Sequence, residues 1–167
     1  HLQRGRVTPA AAGYQLPLPA PAEDPVATLL ALSASADLPA ALDGFEPHYN
    51  HYHLLKQALA HYRQLAALPP LPALPALPAR SVKPGEAYAG AEALRTLLAR
   101  LGDLPAAQAS SQEARLDATL SAAVARFQGR HGLQADGVLG AGTLAALQVP
   151  LAERVRQLQL SMERARW

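Results

Sequence analysis

Six side chains in the C-terminal third have the chemistry to recognise a polar ligand. Arg126, Gln128, Arg130 and His131 lie in one helical run, and Asp136 and Thr143 flank the turn after it. Guanidinium groups pair with carboxylates, and the amide, imidazole and hydroxyl both donate and accept hydrogen bonds. Covalent chemistry has no comparable support. The chain has no cysteine, and no Gly-rich phosphate loop is present. Its 13 acids are scattered, with no pair that spacing alone holds in a cleft. His48 and His51 stand three apart without a third ligand, so a solvated helix face accounts best for His48, His51, His53 and His61. We therefore expect no catalytic residue, no metal and no cofactor.

The six residues depend on the segment Asp136-Gly137-Val138-Leu139-Gly140-Ala141-Gly142-Thr143. Asp136-Gly137 is a turn dipeptide: Gly137 accepts a positive φ, and the Asp136 carboxylate can take nearby backbone N–H groups. Gly140 falls at a helix N-cap, and Thr143 can bond backbone groups in the first turn. Taken alone, Asp136, Gly137, Gly140 and Thr143 can be explained as fold-building residues of a corner between two helices. The helix before the corner places Leu116, Leu120, Val124 and Phe127 on one face and stops at Gly132, a left-handed cap followed by Leu133. The helix after it, Gly140 to Leu147, presents Leu144 and Leu147. An earlier helix carries Leu94, Leu97, Leu98 and Leu101 and ends at Gly102.

The remaining chain is also helical in pattern. Of its 167 residues 50% are hydrophobic, mostly Ala and Leu, and 5% are aromatic, a balance that favours helices over strands. Five prolines in residues 1–25 imply an extended lead-in. Two short helices fill Val26 to Phe45, the second started by Asp37 with Pro39 in its first turn. Pro47 to Leu68 is the clearest helix, with Tyr52, Leu55, Leu59, Tyr62 and Ala66 on one stripe and Lys56 and Arg63 wet. Residues 68–80 repeat Ala-Leu-Pro and read as a polyproline II strap. A last helix starts at Pro150 and carries Leu151, Val155, Leu158 and Met162 on one face, with Glu153–Arg156 and Glu163–Arg166 as i,i+3 pairs. A net charge of +2 with a pI of 9.2 is a mild basic bias that argues against a nucleic-acid partner. No apolar run approaches the roughly 20 residues of a membrane span.

The spacing Val124-x-x-Phe127-Gln128, Gly132-Leu133, Asp136-Gly137-x-x-Gly140-x-x-Thr143, Leu147 resembles the three-helix peptidoglycan-binding module of many bacterial cell-wall enzymes. The resemblance covers about Lys83 to Gln148. Ala141 stands where many members carry Pro, and Gly142 weakens that helix start. The flanks resemble large multidomain L,D-transpeptidases. Pro47-x4-Tyr52-x-x-Leu55-Lys56-x-Ala58-Leu59-x-x-Tyr62-Arg63 looks like their scaffold helix, and Val149-Pro150 through Glu163-Arg164-x-Arg166-Trp167 looks like the helix leading into their catalytic domain. Ser161 and Gln148 replace the asparagines usual there. That family cross-links stem peptides with a Cys in a Ser-x-Gly-Cys-x-Arg setting, so with no Cys present no catalytic residue carries over.

The resulting expectation is an all-α fold: a lead-in at 1–25, scaffold helices at 26–82 including the strap, an inserted peptidoglycan-binding-like module at 83–148, and a scaffold helix at 149–167. The expected role is non-catalytic binding of a glycan strand or stem peptide, with Arg126, Gln128, Arg130, His131, Asp136 and Thr143 as ligand candidates. Phe127, Gly132, Leu133, Gly137, Gly140 and Leu147 build the motif. Other cell-wall proteins are further expected partners, in the periplasm or envelope of a bacterium. The start at His1 and the helical pattern running to Trp167 read as a fragment whose signal lies upstream. The alternative is a helical protein-interaction scaffold without catalytic activity.

Overall fold

The computed structural model describes residues 2, 4–17 and 24–167. Among these residues are seven α-helices and one two-stranded sheet: α1 (Pro25–Ser33), α2 (Leu38–Asp43), α3 (Asn50–Ala66), β1 (Ser81–Val82), α4 (Ala91–Arg100), α5 (Ala118–Arg130), β2 (Leu139–Gly140), α6 (Ala141–Leu147) and α7 (Leu151–Arg164). The all-α expectation therefore stands. The chain divides into two compact units, one of residues 1–63 and 152–167 and one of residues 64–151.

In the first unit, the Asp24 and Asp37 carboxylates accept the N–H groups of Val26 and Ala40, and Pro occupies the first turn of both α1 and α2. This is the start chemistry expected for α2, whereas the expectation for α1 named no cap. Tyr52, Leu59 and Met162 form the buried core, with Leu55, Val155, Leu158 and Ala165 packed around it. Two expectations need correction. The lead-in is not simply extended, because Ala10–Ala12 makes a 3-10 turn closed by Gly13 and Pro25 already belongs to α1. Pro19 and Pro21 lie outside the described residues. At the end of α3, whose last three residues belong to the second unit, Ala66 is exposed and Leu65 is buried instead. Lys56 is exposed as expected, and its Nζ donates to Asp43 at 2.8 Å and to Glu46 at 2.7 Å.

In the second unit, α4, α5 and α6 enclose Leu94, Leu98, Leu120, Val124, Phe127, Leu144 and Leu147. Leu116 is buried as expected but lies outside α5. Asp117 caps that helix by accepting Leu120 N–H, while Leu116 N–H donates to Glu86 O at 2.9 Å. The strap belongs to this unit. Polyproline II leaves its carbonyls without internal donors, and side chains supply them. Arg100 donates to Pro69 O at 2.6 Å, Tyr88 to Pro75 O at 2.8 Å and Gln148 to Leu74 O at 3.2 Å, and Leu74 itself is buried. The sequence pattern did not announce β1 and β2, which pair antiparallel with Val82 opposite Leu139 and Ser81 opposite Gly140. Two-residue strands have no periodicity to read.

Candidate functional site

The corner at Asp136–Thr143 is assembled around one amide. Gln128 is 2% exposed. Its Nε2 donates to Asp136 Oδ1 at 2.9 Å, Val138 O at 3.0 Å and Thr143 Oγ1 at 3.0 Å, and its Oε1 accepts Gly137 N–H at 2.9 Å. Two amide hydrogens thus serve three acceptors, and one side chain reads four groups across sixteen residues of chain. The route back to Gln128 is set by the end of α5. Gly132 takes φ +67°, Leu133 N–H donates to Gln128 O at 2.9 Å and Gly132 N–H to Gly129 O at 3.4 Å. This is the Schellman pairing, and it turns the chain toward the Gln128 side chain.

Gly137 sits where only glycine fits. Its φ is +70°, and a Cβ there would lie 2.5 Å from Ser121 Oγ and 2.9 Å from Ser121 O. Ser121 Oγ in turn donates to Gly137 O at 3.0 Å. Asp136 Oδ1 accepts Val138 N–H at 2.9 Å, the turn bond expected of it. Gly140 is the N-cap of α6. Thr143 departs from expectation: its hydroxyl accepts from Gln128 instead of bonding the first helical turn.

The six ligand candidates do not form a single cluster. Gln128, Asp136 and Thr143 come together, with Gln128 and Thr143 buried inside the corner. At about 100° per residue, Arg126 and Arg130 point roughly 160° away from Gln128 around α5. They hold the turn after α4 instead. Arg126 Nε donates to Asp103 O at 2.7 Å, and Arg130 grips the buried Asp103 carboxylate with two N–H groups, Nε at 2.8 Å. The Arg130 side chain keeps 45% exposure. His131 stacks on Phe127 with ring centroids 4.1 Å apart. Sequence reading overlooked Arg95, which is 1% exposed and pairs with Asp117 at the start of α5. A charged residue on a helix otherwise filled by alanine and leucine carries no signal that it points inward.

Two carboxyls of this unit are held below the ordinary value. Val138 N–H, then the Gln128 amide, lower Asp136. Burial pushes Asp117 up, but the Leu120 N–H and Arg95 outweigh it. A depressed folded-state pKa contributes stability that is full above the unfolded value, about 3.9, and is lost as pH falls through the folded one. Thermal melts should therefore hold level from pH 7 to about pH 5 and fall below pH 4. Asp136→Asn should be less stable at pH 7 and show a shallower acid decline. An unchanged decline would remove Asp136 from this account.

Among the described residues no group of three metal-ligating side chains comes together, and no helix is long and apolar enough to cross a membrane. No curated protein matches the chain. Residues 1–59 match the family model described as Scaffold domain. Residues 88–147, which contain α4, α5, the Gln128-centred corner and α6, match the family model described as putative peptidoglycan binding domain.

Proposed function

We propose that this chain binds peptidoglycan through its second unit and is the non-catalytic scaffold and wall-binding region of an L,D-transpeptidase-like cross-linking enzyme. The match over residues 88–147 carries the binding part of this reading. The match over 1–59 supports the scaffold part, and the resemblance of the Pro47–Arg63 and Val149–Trp167 segments supports the enzyme family. In this reading the chain acts in the periplasm or cell envelope and positions a downstream cysteine domain on the wall. Gln128 and Thr143 act by shaping the corner, since both are buried. Arg126, Arg130, His131 and Asp136 are the candidates for direct contact with sugar hydroxyls, amides and stem-peptide carboxylates.

Incubation with purified insoluble sacculi tests the reading: the chain is expected in the pellet, and complete recovery in the supernatant overturns it. One observation favours a second reading, a protein-interaction scaffold. Val26, Leu29 and Leu30 of α1 are 63%, 66% and 65% exposed, an apolar face of the kind that docks partners. Co-purification of an envelope protein without sacculus retention would select it.

A further inference from the structure

The first unit contains a groove of about 430 Å³ whose lining, among the described residues, includes Arg6, Arg63, Arg156 and Arg166 and one carboxylate, Glu163. That excess of three positive charges exceeds the +2 of the whole chain, so the basic character of the protein is concentrated here. Helix geometry explains the convergence. Leu59 and Arg63 are four apart on α3, and Arg156, Leu160 and Glu163 follow at spacings of four and three on α7.

Internal pairing accounts for three of the five charged groups, Arg166, Glu163 and Arg156. Arg166 donates to Leu2 O at 3.0 Å and to Tyr52 Oη at 2.5 Å and lies 3.5 Å from Glu163. Glu163 also accepts the N–H groups of Arg6 and Val7, the latter at 2.7 Å. This approach requires Gly5, whose φ is +73° and whose missing Cβ would otherwise collide with the Glu163 carboxylate. Glu163 is therefore occupied with backbone and Arg166. Arg156 pairs with Glu153 at 3.9 Å, and its side chain keeps 73% exposure. Between the arginines lie Leu2, Val7, Leu59, Leu160 and Met162.

We propose that this groove binds an acidic peptide segment with small apolar side chains. Its carboxylates pair with Arg6, Arg63 and Arg156, and its aliphatic groups rest on Val7 and Leu160. Guanidinium forks suit carboxylates and phosphates alike. The aliphatic floor favours the peptide, because a polyphosphate has nothing to bury against it. The proposal does not rest on the wall-binding reading, and sacculus retention can fail while this binding stands.

The test is fluorescence anisotropy of the full chain with a labelled peptide of five Ala-Glu repeats. Binding is expected to weaken about tenfold in Arg63→Ala/Arg156→Ala and to fall between low salt and several times the physiological ionic strength. The same peptide with Gln for Glu should not bind. Arg80→Ala removes one charge from the other unit and should leave affinity unchanged. Equal weakening by Arg80→Ala, equal binding of the Gln peptide, or displacement by inorganic polyphosphate at lower concentration than by the unlabelled Ala-Glu peptide would each overturn the proposal.

Discussion

Gln128→Ala is expected to lower the stability of the second unit by about 3 kcal/mol, because each buried polar group left unpaired costs about 1–3 kcal/mol and neighbouring losses do not add fully. The substitution strands Gly137 N–H, Val138 O and the Thr143 hydroxyl at a position with 2% exposure. Urea unfolding followed by far-UV circular dichroism measures the loss, and amide exchange at Gly137 places it at the corner. A fall of less than 1 kcal/mol would mean that water or a neighbouring group replaces the amide. Gln128→Glu sharpens the test. Its carboxylate faces Asp136 Oδ1 and Val138 O, which need a donor, so it should be at least as destabilising at pH 7 and recover partly in mild acid, where it protonates. Sacculus retention should fall with stability in both variants, since the corner has to form before any exposed residue beside it can act.

Tyr52→Ala is expected to cost the first unit about 3–5 kcal/mol, the range for truncating a fully buried aromatic ring. Tyr52 has 0% exposure and packs with Leu59 and Met162. Its ring lies 5.2 Å from the Arg166 guanidinium carbon, and its hydroxyl accepts from the same residue. Truncation therefore opens a cavity and releases Arg166 from one of its anchors. Tyr52→Phe keeps the ring and loses only the hydroxyl, for about 1 kcal/mol. Trp167 is the sole tryptophan of the chain and its indole N–H donates to Val7 O at 2.9 Å, so its fluorescence reports this unit directly. Similar losses in the Ala and Phe variants would show that the hydroxyl, and not the ring, governs the packing.

Periodicity and start and stop residues located the helices well. The Asp37 cap, the Gly132 stop and the Asp136-Gly137 turn are short-range features, and short-range features are written in consecutive residues. The stripe through Tyr52 and Leu59 and that through Val155, Leu158 and Met162 were equally legible, since a helix repeats its face every three or four residues. The misreadings were of another kind. Leu116 fits the α5 stripe by spacing, yet Asp117 starts the helix one residue later because its carboxylate reaches Leu120 N–H. The candidate ligand cluster merged residues that are near in sequence but on opposite sides of α5.

The sequence by itself determined the helical class, the places where helices begin and end, and the existence of a corner that only Asp-Gly chemistry closes. The tertiary structure alone decided what the polar residues do. Gln128 became the hub of the corner, Arg126 and Arg130 turned to Asp103, Arg95 went inside to Asp117, and Arg63 and Arg156 were left facing a groove. The reason is physical. An apolar side chain is buried against any apolar neighbour, so its pattern along one helix predicts its fate. A polar side chain is satisfied only by a specific partner at hydrogen-bond distance, and here those partners come from distant parts of the chain.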